Sequence, residues 1–416
     1  MYTRRVFLKN AAFAMVGVGS APAWLARTVF AETYSGRRKK VLVAIFQRGA
    51  ADGLNIVVPF GEKSYYSLRP TIAVPRPGVS EEDSAIDLDG FFGLNPALKP
   101  LVPLYRGAHL AIVHAVGSPD PTRSHFDAQD YMESGTPGRK ATPGGWMNRA
   151  LAPERGTVSP VRAVAVGPTL PRALRGETPA LAINDLPGFQ IRDPGAAVPF
   201  ETMYQTTGDT LLRGAGRETF EAIRLLSSIE KRPYSPENGA SYPGGRFGQS
   251  LQQIARLIKA DVGVEVAFVD IGGWDHHVNE VGARASAGQL PNLLREFGRS
   301  LAAFWQDLGD RMADVALVTM SEFGRTAREN GNRGTDHGHA NVMFVMGGDV
   351  RGGKVYGEWP GMEKEQLYEG RDLNLTTDFR DVLGELVSRH LGNPNLNAVF
   401  PGYAADARKF RGLIPT

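Results

Sequence analysis

Apolar positions fall in short unbroken blocks along this chain, separated by long polar stretches. VLVAIF, residues 41–46, is rich in β-branched side chains and predicts a buried strand. The same signature returns in LAIVHAVG (110–117), VEVAFVDI (264–271), VALVTM (315–320) and ANVMFVMGG (340–348), and more weakly in VRAVAVG (161–167). Helical spacing lies between these blocks, over residues 94–105, 218–229 and 247–260. Leu290, Leu293, Leu294, Phe297, Leu301, Phe304, Trp305 and Leu308 keep the i, i+3, i+4, i+7 spacing of an amphipathic helix. TDFRDVLGELVSRHLG (377–392) predicts a last helix, with Thr377 or Asp378 capping its start and Gly392 its end. Strands alternating with helices predict an α/β fold whose mainly parallel sheet is covered on both faces. Residues 150–245, rich in Pro, Gly and Arg, are expected to form an irregular insertion or cap on a single domain spanning 32–416.

The first residues do not belong to that domain. Paired Arg4 and Arg5 lead through Phe7, Leu8 and Lys9 into a modest apolar run, the pattern of a twin-arginine signal peptide. Gly17, Gly19, Ser20 and Pro22 interrupt the run, and it is shorter than the roughly 20 residues a membrane span needs. Cleavage is expected after Ala31, with Ala26 as the alternative, and the mature chain is expected in the periplasm or outside the cell, after passage through the twin-arginine translocase. Arg4, Arg5, Lys9 and Arg27 are the only charges in residues 1–31, so their removal turns the formal +3 into −1. A chain near neutrality lacks the basic field that nucleic acid binding requires. The 416 residues contain no cysteine, so any metal has to be held by oxygen and nitrogen.

In an open α/β sheet, ligands sit beyond the carboxyl ends of the strands. The polar clusters of this chain fall there: Asp52 after the first strand, Ser124 and His125 after the second, Asp275 to His277 in GGWDHH, then Ser321 and Glu322. Asp336, His337 and His339 stand in GTDHGHAN, just before a strand, and need a loop that folds back over the same edge. Five of the eight histidines, His125, His276, His277, His337 and His339, lie in these loops. Adjacent side chains diverge, so of His276 and His277 one is expected to bind and the other to pack. Gly334 and Gly338 are expected to let the backbone turn Asp336 and His337 toward the site. Carboxylates and imidazoles without thiols suit zinc, manganese, or a mixed zinc and magnesium pair.

The order Asp52, Ser124, Asp275 with His277, Asp336-His337-Gly338 and His339 resembles the metal-binding order of the alkaline phosphatase and sulfatase superfamily. More closely, RGAADGLN, RSHFDAQDYMESG, GGWDHH, SEFGRT and GTDHGHAN together resemble an exported family, domain of unknown function 1501. The resemblance implies an alkaline-phosphatase-like three-layer sandwich with loop-rich insertions. It implies that Asp52, Asp336 and His337 hold one metal near a Ser124 nucleophile, while Asp275, His277 and His339 hold another. The superfamily's Asp-x-x-x-His spacing is replaced here by Asp275-His276-His277. The type I sulfatase motif, Cys/Ser-x-Pro-x-Arg, is absent, since SPDPTR has Asp120 where the proline should stand.

These residues lead to the expectation of metal-dependent hydrolysis or transfer at a phosphate-like ester of a small molecule or polymer, with serine or water as nucleophile. Arg48, Arg123 and Arg325 would stabilise charge on the non-bridging oxygens, and His125 would act as acid or base. The alternative is a noncatalytic exported protein that binds surface polysaccharide, with Trp146, Trp274, Trp305 and Trp359 available to stack on sugars.

Overall fold

A computed structural model describes residues 39–151, 158–189 and 197–415; the expected signal segment 1–31 lies outside them. The central sheet contains β1 (Val41–Gln47), β2 (Leu110–Gly117), β3 (Ala163–Val166), β4 (Leu181–Ile183), β5 (Val266–Ile271), β6 (Val315–Met320) and β7 (Asn341–Gly347). The short β8 (Val355–Tyr356) and β9 (Thr377–Asp378) complete it among the described residues. Its order is β8-β2-β7-β6-β1-β5-β3-β4, with β9 also pairing β2.

β1 lies between β5 and β6 and runs parallel to both. Every residue of β1 is buried, as expected for a strand covered on two faces. Val41, Val43 and Ile45 pack on one side with Phe247, Leu251 and Ile254 of α3 (Arg246–Lys259) and with Leu290, Leu294, Phe297 and Leu301 of α4 (Gln289–Leu308). Leu42, Ala44 and Phe46 point the other way, into a core with Trp146, Phe379, Val382 and Phe400. Period-two alternation between two helical layers makes this a three-layer sandwich.

β7 is the exception to the parallel rule. It runs antiparallel to both neighbours, β2 and β6. Its entry therefore lies at the edge where β1, β2, β5 and β6 end, and GTDHGHAN arrives there directly, with no loop folded back across the sheet.

Three expected helices differ in detail. Pro96, Pro100 and Pro103 break residues 94–105 into a 3₁₀ stretch, Pro96–Leu101, and a short helix, Val102–Arg106, because proline has no N–H to donate. The last helix, α5 (Phe379–Glu385), is capped by Asp378, which accepts from the Arg380 N–H, and ends in a π turn over Leu386–His390. Residues 150–245 are more regular than expected: β3 and β4 extend the sheet, and α2 (Thr210–Glu230), longer than the expected 218–229, sends Leu225, Leu226 and Ile229 into the core. No helix among the described residues is long and apolar enough to cross a membrane.

Candidate metal centre

Immediately after β1 the backbone turns sharply, with Gly49 at φ 117° and Ala50 at φ 62°. A Cβ on Gly49 would lie 2.7 Å from the Asp275 nitrogen, so only glycine fits between the two loops. The turn presents the Gly49 and Ala50 carbonyls to Arg325, which is almost completely buried. The same guanidinium donates to the carbonyls of Thr335 and Trp274 at 3.1 Å and to Asp275 Oδ1 at 2.6 Å. Arg325 thus ties three loops together and orients Asp275 at their centre.

Around Asp275 three imidazoles meet. His125, first residue of α1 (His125–Ser134), has Nε2 3.0 Å from His337 Nε2. His277 Nε2 lies 3.1 Å from the same atom and 3.0 Å from Asp275 Oδ1. His337 Nε2 is also 3.4 Å from Asp275 Oδ1. Among the described residues, His125, Asp275 and His337 form a group that could hold a metal ion.

Each ring is fixed from behind through Nδ1. His125 Nδ1 faces Glu322 Oε1 at 2.8 Å, His337 Nδ1 faces the Arg123 carbonyl at 2.9 Å, and His277 Nδ1 faces Asp336 Oδ1 at 3.2 Å. Those partners are acceptors, so each neutral ring carries its proton on Nδ1 and directs the Nε2 lone pair inward. His337 Nε2 thus faces the Nε2 atoms of both His125 and His277, and such lone pairs repel unless a cation or a proton lies between them. Nitrogens at ~2.0–2.1 Å from one tetrahedral zinc are about 3.3 Å apart, within a few tenths of the His125–His337 and His277–His337 separations.

Glu322 is buried and accepts four hydrogen bonds, from His125, Gln129, the Gly49 N–H and the Ser321 hydroxyl. Burial alone would raise its pKa, but the bonds from His125, Gln129 and Gly49 outweigh it and hold the carboxylate below its usual range. The Glu322 bond in turn raises the pKa of His125, while burial lowers that of His337. Asp275 is lowered despite partial burial because Arg325 bonds to it.

The other expected residues are placed differently. Asp52 is buried in a bidentate pair with Arg69, outside the imidazole cluster. Beside it stands Glu280, whose pKa is pushed up by burial and by the Asp52 charge. His339 is buried and stacks on Tyr368 with centroids 4.5 Å apart, away from the converging nitrogens. Asp336 reaches the cluster only through His277 and also accepts from Asn330 at 3.1 Å. His276 turns into the interior while His277 faces the cluster.

Ser124 stands at the N-cap of α1 but makes no capping bond with its side chain. Arg48 is spent on Asp270, Gln129 and Glu133, and Arg123 on Asp372 and Glu369. The sequence places Glu322 among the polar residues of the carboxyl edge but gives it no role, and Gln129 is not singled out. Glu322 follows a buried strand at the carboxyl edge, and Gln129 lies four residues beyond His125 on one helix face, which are the signals that could have found them.

The model of a family described as a protein of unknown function, DUF1501, matches residues 114–394. No match is found among curated proteins. Among solved structures, the C-terminal periplasmic domain of EcEptC from Escherichia coli, in complex with Zn, is similar at 10% identity and a TM-score of 0.35, over 76% of this chain and 74% of that one. The PsFucS1 sulfatase from Pseudoalteromonas sp. is similar at 13% identity and a TM-score of 0.35, over 93% and 72% of the two chains. The lipoteichoic acid synthase LtaP from Listeria monocytogenes gives 10% identity and a TM-score of 0.31, over 82% and 71%.

Proposed function

This chain belongs to the DUF1501 family of proteins of unknown function, and we propose that it is an exported metal-dependent enzyme that hydrolyses or transfers a phosphate-like ester. The observation that carries the reading is the convergence of His125, His277 and His337 Nε2 beside Asp275, with each Nδ1 held by an acceptor.

His125, His277, His337 and Asp275 would hold a divalent ion. An imidazole-rich set suits zinc better than manganese or magnesium, which favour oxygen. When bound, such an ion supplies Lewis acidity toward an ester oxygen and makes a hydroxyl or water a better nucleophile. Glu322 and Asp336 keep the rings of His125 and His277 in the tautomer that binding needs. Ser124 follows the Arg123 carbonyl that anchors His337 and precedes His125, and its hydroxyl would be the chain's own nucleophile. The first-turn N–H groups of α1 face the same edge and would take up charge on non-bridging oxygens, a task from which Arg48, Arg123 and Arg325 are withheld by their bonds within the protein. Asp52 and His339 take no part in this arrangement. The N-terminal segment supports export to the periplasm by the twin-arginine route.

Elemental analysis of protein purified without chelator, followed by a screen of phosphomonoesters, phosphodiesters and sulfate esters, tests the reading. Bound zinc or manganese together with chelator-sensitive turnover of a phosphate ester is expected. Absence of metal after supply of zinc, manganese and magnesium, or inertness of loaded protein toward every ester, would sink it.

A further inference from the structure

Phe126 directly follows His125 in the first turn of α1, yet 90% of it is exposed. Its ring lines a recess of about 500 Å³ together with Leu170 and Pro171, a volume within the range of small-molecule sites. The recess adjoins the metal centre through Gln129, also on its wall, which donates to Glu322 Oε1 at 2.8 Å, the oxygen that fixes His125.

The polar lining selects a ligand class. Arg48, Arg172 and Arg175 are matched by Asp130, Glu133 and Asp270, so the wall favours neither an anion nor a cation. One open acceptor on it is unspent. Asp130 pairs through Oδ1 with Arg172 Nε at 2.7 Å, and its Oδ2 is buried out of a ligand's reach. Asp270 gives Oδ1 to Arg48 at 2.7 Å and keeps 47% of its side chain exposed, with no hydrogen bond to its other oxygen among the described residues. An unspent acceptor asks for a neutral donor such as a hydroxyl, and an exposed aromatic face asks for a flat apolar surface. A pyranose ring carries both, with C–H groups on its face and hydroxyls around its rim.

We propose that this recess is a carbohydrate subsite, in which Phe126 stacks on a pyranose while Asp270 accepts from one of its hydroxyls. The ester processed at the metal centre is then one carried on a sugar; that second statement rests on the ester reading, whereas binding in the recess does not.

The test is saturation-transfer NMR on the mature protein, metal-loaded and chelator-treated, with neutral methyl glycosides of the gluco, galacto, manno and N-acetylglucosamine series. Putrescine and inorganic phosphate serve as charged competitors. Transfer to ring protons is expected for at least one glycoside in both metal states, at least tenfold weaker in Phe126→Ala, several-fold weaker in Asp270→Asn and unchanged in His337→Ala. Transfer to no glycoside, equal transfer in Phe126→Ala, or displacement by putrescine or phosphate at concentrations well below those of the glycosides overturns the subsite. Glycoside binding without any ester turnover leaves the subsite standing and removes the ester reading. Turnover of p-nitrophenyl phosphate without glycoside binding does the reverse.

Discussion

His125 Nε2 and His337 Nε2 face each other at 3.0 Å although 212 positions separate them in the chain. Both rings have their Nδ1 proton committed to an acceptor behind them, so neither neutral ring has a proton to place in the gap. A metal cation between the rings, or a second proton on one of them, makes this geometry favourable. His337→Ala is therefore expected to lose bound metal, whereas His339→Ala and Asp52→Asn are expected to retain it. Metal stoichiometry by elemental analysis checks this, and loss in all three variants would show a ligand set wider than the cluster. His390, at the end of the π turn after α5, is buried with Nε2 2.9 Å from the Val41 carbonyl, so its substitution bears on stability and not on metal.

Glu322 acts through His125 rather than on a ligand. Glu322→Gln puts an amide where four donors meet a carboxylate, so one donor loses its acceptor and His125 loses its fixed tautomer. Metal affinity is expected to fall 10- to 100-fold, the usual effect of losing such an outer partner. Because a proton on His125 competes with metal and Glu322 raises that proton's affinity, wild-type binding should weaken as pH falls, with protons released on loading. Competition titration against a chromophoric chelator at several pH values measures both effects.

Gly338 is required by space and not by a left-handed backbone. A Cβ there would lie 2.3 Å from the Arg325 carbonyl carbon, and one on Gly334 would lie 2.4 Å from that of His277. Gly338→Ala should cost about 1–3 kcal/mol as the loop is forced away from Arg325, and should weaken metal binding with it. Gly331→Ala, where a Cβ meets nothing within 4 Å, should do neither. Thermal melts of both variants with and without metal decide the matter.

His114 on β2 sets an acid limit to stability. Burial lowers its pKa to about 4, and its ring is satisfied when neutral, with Nε2 3.0 Å from the Val57 carbonyl and Nδ1 accepting from the Ala115 N–H. An unfolded histidine titrates near 6.5, so the unfolded chain takes up the proton first. The contribution of His114 is therefore complete above about pH 6.5 and is lost as pH falls toward 4, by about 3 kcal/mol. Melting temperatures from pH 7 to 4 should fall less steeply in His114→Gln than in the wild type.

Export is expected to depend on Arg4 and Arg5. Changing both to lysine should leave the protein in the cytoplasm, which fractionation would show, and unimpaired export would remove the twin-arginine assignment.

Much of this molecule is legible along the chain. A buried strand between two helical layers must be apolar on both faces, which is why VLVAIF and VALVTM could be placed as central strands. The crowding of imidazoles at strand ends was also visible, because a residue's position after a strand is a one-dimensional fact. What the sequence does not contain is the direction of β7. Strand patterns read alike forwards and backwards, and only pairing with β2 and β6 makes it antiparallel and brings His337 straight to the carboxyl edge. Nor does it contain the partner of a charge: Asp52 before a glycine looks like any loop carboxylate, and only the folded chain sets Arg69, 17 residues on, against both its oxygens. The same holds for the three Nε2 atoms. Residue type supplies an imidazole, but which nitrogen faces inward is decided by Glu322, Asp336 and the Arg123 carbonyl, groups that meet their histidines only through tertiary packing.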